Sequence, residues 1–254
     1  MPTARRLVHV LREPQHRTSA LLLASTAASA LLGLGYWMLA TRLARLPEHE
    51  VGVGYALVAL GTIAALLGKG GFDLALIRVV PAASPKEGRR VLRLATLIGS
   101  AVAVALCLGF TALAVRFGWM PELRSADWAV LPALAMLLVA TWLQDARFLA
   151  AGAAQAVLGR NLVLGLVRIA VILPVAWLAV PGPVAASWGL GLGASALAAL
   201  LLAARLPAQG DATADTPAFL RSARRNLVGS AAEFLPGLIL PPLCLLYTSP
   251  SPRD

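Results

Sequence analysis

The residues best placed to do chemistry are ionisable side chains embedded in apolar runs. Arg168 lies in the run Asn161–Val180, and Glu233 in a run that opens near Asn226. Lys69 and Asp73 are four apart near the end of another run, a spacing that lets two helical side chains pair. A charge inside such a run is costly unless it faces a bundle interior, a water-filled cavity or a partner. Arg168 therefore reads as an anion-binding residue lining a path, a structural ion pair or a snorkelling side chain. Placing it two turns into its span puts it about 10 Å from one membrane face, where any of these works. Glu233 stands beside Pro236 and Gly237, where a helix can open. It reads as a substrate or coupling contact, or as the partner of a buried arginine. Lys69 and Asp73 read as an interfacial pair.

Other chemistry finds little support. His9, His16 and His49 are scattered outside the apolar runs, so no histidine-based metal cluster is expected. No Ser-His-Asp constellation can be built from them either. Gly68-Lys69-Gly70 lacks the Ser or Thr and the upstream glycine spacing of a phosphate-binding loop, which argues against an ATPase. No cofactor and no enzymatic activity are expected.

The elements that must position these residues follow from composition. Of 254 residues, 59% are hydrophobic and 13% charged, against about 45–50% and about 25% in ordinary soluble domains. Mean hydropathy is +0.77. Such a chain could not cover its own surface in water, and it is too apolar for disorder. The net charge of +10 could suggest nucleic acid. The basic residues, however, sit in short clusters between long apolar runs, the pattern of a polytopic membrane protein. No nucleic-acid partner is expected; membrane lipids are.

A membrane-crossing helix needs about 20 apolar residues. Six runs qualify: Thr18–Thr41, Val51 to about Gly68, Leu94–Val115, Trp128 to about Ala150, Asn161–Val180 with Pro174 as a kink, and Val184–Ala204. The second could extend to Val80 across a break at Gly70-Gly71. A seventh begins near Asn226. Backbone groups in lipid must be satisfied within their own segment, so the runs are helices and the fold is all-α. The run Cys244 to Asp254 breaks the seventh helix in mid-span and resembles, at each position, one reading frame of a transposase adapter used in sequencing libraries. It is set aside as non-native. The native protein is then expected to continue past Leu243, and Cys107 is left alone in an apolar helix, without a disulfide partner.

Alternate connections differ in Lys and Arg, fifteen against four, and the N-terminal segment lies on the richer side. This places the N-terminus in the cytoplasm, with Trp37, Trp119 and Trp128 near the outer helix ends as an aromatic belt. The expected organisation is a cytoplasmic segment 1–17, a six-helix bundle 18–204, a cytoplasmic linker 205–225, the start of a second bundle 226–243, and the tail 244–254. Small residues recur at Ser25, Ser29 and Gly33, at Gly54, Gly61 and Gly68, and at Gly189 and Gly193. Such faces allow close helix packing. The cluster Lys86-Glu87-Gly88-Arg89-Arg90 reads as a topology signal that also attracts anionic headgroups.

Several stretches together resemble polysaccharide flippases of the multidrug/oligosaccharidyl-lipid/polysaccharide exporter superfamily. They are Leu43 to Gly52 at the turn into the second helix, Gly70-Gly71-Phe72-Asp73-Leu74-Ala75-Leu76-Ile77-Arg78 at its exit, Gly159-Arg160-Asn161 before the fifth span, and Asn226 to Pro241. The resemblance covers about Arg17 to Leu243. It implies two six-helix bundles around a cavity that opens alternately to each side, the first bundle and the start of the second lying in this chain. The missing C-terminal half would then be its partner. It also implies a lipid-diphosphate-linked glycan as substrate, moved across a bacterial inner membrane. Arg168, Arg78 and Lys69 are the candidates for charge-assisted contacts to the diphosphate.

Two other functions remain open. Multidrug antiporters of the same superfamily often carry an acidic residue in the first helix, and residues 18–41 contain none. A membrane-embedded glycosyltransferase or ligase would carry acids and aromatics in a long outer loop. Here Glu48, Glu50, Glu122 and Asp127 are the outer acids, and they sit beside helix ends.

Overall fold

The computed structural model describes residues 14–118, 125–206 and 210–229. The elements are α1 (Pro14–Met38), a π-turn (Leu39–Leu43), α2 (Glu48–Lys69), α3 (Phe72–Val79), α4 (Pro85–Phe117), α5 (Ser125–Ala150), α6 (Ala154–Trp177) and α7 (Pro183–Ala203). An eighth helix, α8, occupies 216–229. Among the described residues there is no strand, only an isolated bridge between Ala83 and Ala212. Six helices are long and apolar enough to cross a membrane. The protein is an all-α, multi-pass membrane bundle.

Several helices begin earlier than their apolar runs. Ser84 caps α4 by accepting a hydrogen bond from the Glu87 N–H, and Pro85 occupies the first turn. This Ser-x-x-Glu arrangement with proline at the start is a strong helix-initiating combination. The basic residues from Lys86 to Arg93 are therefore on a helix, not in a loop. Likewise α6 begins at Ala154, so Arg160 is a helical residue rather than part of a connection. Pro174 lies within the last turn of α6. The run starting at Asn226 is already helical at 216, inside the stretch expected to be a linker.

The helices pack as two groups. In one, α2, α4 and α5 are mutually adjacent; in the other, α6 lies between α1 and α7. Contacts of α7 with α5 and α2 join them. α1 packs chiefly on α6 and is the least buried span. The larger core cluster is centred on Leu57, Leu76, Leu131, Leu143 and Leu192.

Glycine decides how closely the helices approach. A Cβ on Gly68 would stand 2.5 Å from the Gly99 carbonyl oxygen, and one on Gly54 would stand 2.3 Å from the Val184 Cβ. Gly54, Gly61 and Gly68 are all buried, so the small face of α2 packs as expected. On α7 the packing face is different from the one expected. Gly193 has nothing within 4 Å of its Cβ direction, whereas Ser187, Gly191 and Ser195 are buried. They share one face at four-residue spacing.

At Gly70 and Gly71 the backbone enters the left-handed region, with φ of 48° and 79°. The expected break is there, and it separates α2 from α3. Gly71 is also where α8 docks: a Cβ would lie 2.6 Å from the Ala223 carbonyl oxygen. Phe219 of α8 stacks on Phe72 at 5.8 Å and is fully buried. Upstream, the Ala212 N–H donates to the Ala82 carbonyl and the Ser84 N–H donates to the Ala212 carbonyl. The connection after α7 is thus fastened along residues 82–84.

Candidate functional site

Arg168 lies fourteen residues into α6, about 21 Å from the start of that helix. The earlier start of α6 moves it past the helix midpoint, towards the end that carries Tyr36, Trp37 and Trp188. It does not snorkel: the residue is 6% exposed. Its guanidinium carbon is 4.3 Å from the ring centre of Trp188 on α7 and 4.9 Å from that of Tyr36 on α1. Tyr36 is itself fixed. Ser187 donates to the Val184 carbonyl, so the Tyr36 hydroxyl donates its proton to Ser187 Oγ at 2.8 Å. Tyr36 also meets Trp37 edge to face, and Trp37 meets Tyr55.

No carboxylate pairs with Arg168 among the described residues. Its Nε is buried without a hydrogen-bond acceptor, and so is Nε1 of Trp188. Desolvating an ion costs several kcal/mol even after relaxation. A cation over a desolvated aromatic face returns about 2 kcal/mol. Two rings offset a part of the cost and leave a cation that an anion would stabilise. Gly191 makes room: a Cβ there would lie 3.3 Å from the Arg168 Cβ.

A second polar centre was not anticipated from the sequence. Arg160 of α6 donates through Nε to Asp145 Oδ1 of α5 at 2.7 Å and through a terminal nitrogen to Oδ2. The same guanidinium reaches Asn161 Oδ1 and Ser195 of α7, and Asn161 donates to Ser25 of α1. Asp145 is the residue that sequence reasoning missed. The signal was present: a carboxylate five residues from the end of the fourth apolar run, opposite an arginine that begins the fifth. Both groups are satisfied by each other, so this network holds four helices together and has no free charge to offer a ligand.

The other candidates are not gathered with Arg168. Lys69 and Asp73 form the expected pair across the Gly70-Gly71 break, with the Lys69 ammonium 5.8 Å from the Trp142 ring centre. They stand at the last turn of α2 and the first turn of α3, and α2 starts at the opposite end of the bundle from α6. Helix lengths put them roughly 20 Å from Arg168 along the bundle axis. Arg78 is exposed on α3. Glu233 and the rest of the seventh apolar run lie outside the described residues, as do Trp119 and the 244–254 tail.

Comparison with known protein families, curated proteins and solved structures finds no match for this chain.

Proposed function

We propose that this chain forms the first bundle of a flippase that carries lipid-linked oligosaccharide or polysaccharide precursors across a bacterial inner membrane by alternating access between two bundles. The N-terminus is assigned to the cytoplasm on the distribution of Lys and Arg. The observation that carries the reading is Arg168, a buried cation without a carboxylate partner among the described residues, held between two aromatic faces within an apolar helix. Ionisable groups kept in this way within membrane spans mark substrate or ion paths. A guanidinium presents N–H donors in a fork that matches phosphate oxygens, which suits the diphosphate of a lipid-linked glycan. The resemblance of Leu43–Gly52, Gly70–Arg78 and Asn226–Pro241 to the exporter superfamily supports the same reading. A second bundle would supply the other wall of the cavity.

A cation-coupled multidrug antiporter of the same superfamily is the second reading. Asp145 favours it, because a carboxylate inside the bundle is what proton or cation coupling requires. Its tight pairing with Arg160 weighs against it. The two are separated by charge reversal, Arg168→Glu, in the full-length gene product. The flippase reading expects loss of surface glycan at normal protein abundance. Unchanged glycan would remove Arg168 from the mechanism, and drug sensitivity arising from Asp145→Asn would favour the antiporter.

A further inference from the structure

The start of α4 carries more positive charge than a topology signal needs, and the fold gives that charge a shape. Lys86, Arg89, Arg90 and Arg93 line a groove of about 750 Å³ that continues over Leu94 and Leu97. Positions 86, 90, 93 and 97 recur at the helical spacing of one face. Thr216, at the first turn of α8, forms the other wall. It is held there by the pairing of Ala212 with residues 82–84.

Charge within the groove is unbalanced. Glu87 is paired with Arg90 at 3.6 Å. The nearby Asp215 carboxylate is turned onto its own helix, accepting from the Ala218 N–H. Lys86, Arg89 and Arg93 have no carboxylate partner among the described residues. Arg89 also borders a second cleft, of about 220 Å³, which it shares with Arg147 and the first turn of α4 and which has no acidic lining residue. The groove then turns apolar within one helical turn, and Leu97 is 70% exposed.

We propose that this groove binds a glycerophospholipid with an anionic phosphodiester headgroup. Arg89 and Arg93 would hold the phosphate, and an acyl chain would lie over Leu94 and Leu97. Cation first and leucine next, along the axis of a membrane-spanning helix, matches the order of groups in such a lipid. A free anion would use only the first half of the groove, and a soluble polyanion would gain nothing from exposed leucine. The proposal holds whether or not the transport reading does.

The test uses the purified 254-residue chain in a zwitterionic detergent, titrated with phosphatidylglycerol, phosphatidylcholine or inorganic phosphate. Bound lipid is counted by native mass spectrometry. Phosphatidylglycerol is retained in preference to phosphatidylcholine. The double variant R89Q/R93Q binds it roughly tenfold more weakly or worse, since each basic residue at a membrane surface contributes about 1 kcal/mol. R89K/R93K restores most of the binding. R42Q/R116Q removes the same charge near the other end of the bundle and changes nothing. L94S/L97S weakens the lipid complex as well. All these arginines are exposed, so the variants keep the fold, which circular dichroism verifies. Equal retention of the two lipids, or equal losses in R89Q/R93Q and R42Q/R116Q, would overturn the proposal. So would inorganic phosphate displacing the lipid at matched concentration, which would make the groove a free-anion site.

Discussion

Arg160 and Asp145 face each other across the α5–α6 turn and are joined by two nitrogen–oxygen contacts, with the arginine side chain 3% exposed. The pair is cross-linked to α7 through Ser195 and to α1 through Asn161 and Ser25. One ion pair therefore registers four helices of the bundle at a single depth. Helix association in lipid lacks the hydrophobic drive available in water, so packing and interhelical polar contacts carry a larger share of it.

Breaking that pair from one side strands the other charge. Asp145→Leu or Arg160→Leu should each destabilise the protein by about 3–5 kcal/mol. The double substitution should recover most of the loss, because no unpaired ion remains. Thermal unfolding in detergent of the two single variants and the double variant measures the coupling. Losses that simply add would show that the two residues do not act as a pair.

Arg168 should behave in the opposite way. It is a buried cation with no carboxylate partner among the described residues, so Arg168→Met removes a desolvation cost and forfeits two ring contacts. Even complete buried ion pairs can be replaced with apolar residues of similar size at no cost or with a gain of about 1–4 kcal/mol, and a cation lacking a carboxylate has less attraction to lose. Arg168→Met is expected to melt at the same temperature or higher, and on the proposed function it loses glycan transport. A marked fall in melting temperature would instead make Arg168 a structural residue.

Close packing by glycine can be tested with matched substitutions. Gly68→Ala drives a methyl group onto the Gly99 carbonyl and Ala103. Backbone on the facing helix cannot yield cheaply, so a cost of about 1–3 kcal/mol is expected. Gly193→Ala has open space before it and should leave stability unchanged or slightly raised. Comparison of the two melting curves checks both statements.

The docking of α8 depends on Phe219. Phe219→Ala empties the space beside Phe72, and aromatic truncations of this kind cost about 3–5 kcal/mol in a well-packed core. The effect should be local. Hydrogen exchange should accelerate over 216–226 while α5 and α6 keep their protection. Uniform acceleration across the bundle would mean that α8 is part of one cooperative unit with the spans.

Hydropathy alone was enough to determine that this is an all-α membrane bundle and to place each of the six spans to within a few residues at one end at least. A long apolar run has one way to satisfy its backbone in lipid, and that constraint acts on each segment separately. The break at Gly70-Gly71 and the Lys69–Asp73 pair were legible for the same reason, since both depend on neighbours in sequence. Helix starts at Pro85, Ala154 and 216 were not, because capping and polar first turns extend a helix beyond its apolar stretch. The late start expected for α6 put Arg168 in its first half, whereas it lies just past the helix midpoint. Only the tertiary structure decided that Arg168 lies between Tyr36 and Trp188, that Arg160 meets Asp145, that Arg78 points outward, and that the packed face of α7 carries Gly191 rather than Gly193. Each of these depends on the rotation of one helix against another. That rotation is set by side-chain packing across helices far apart in sequence, which no local pattern records.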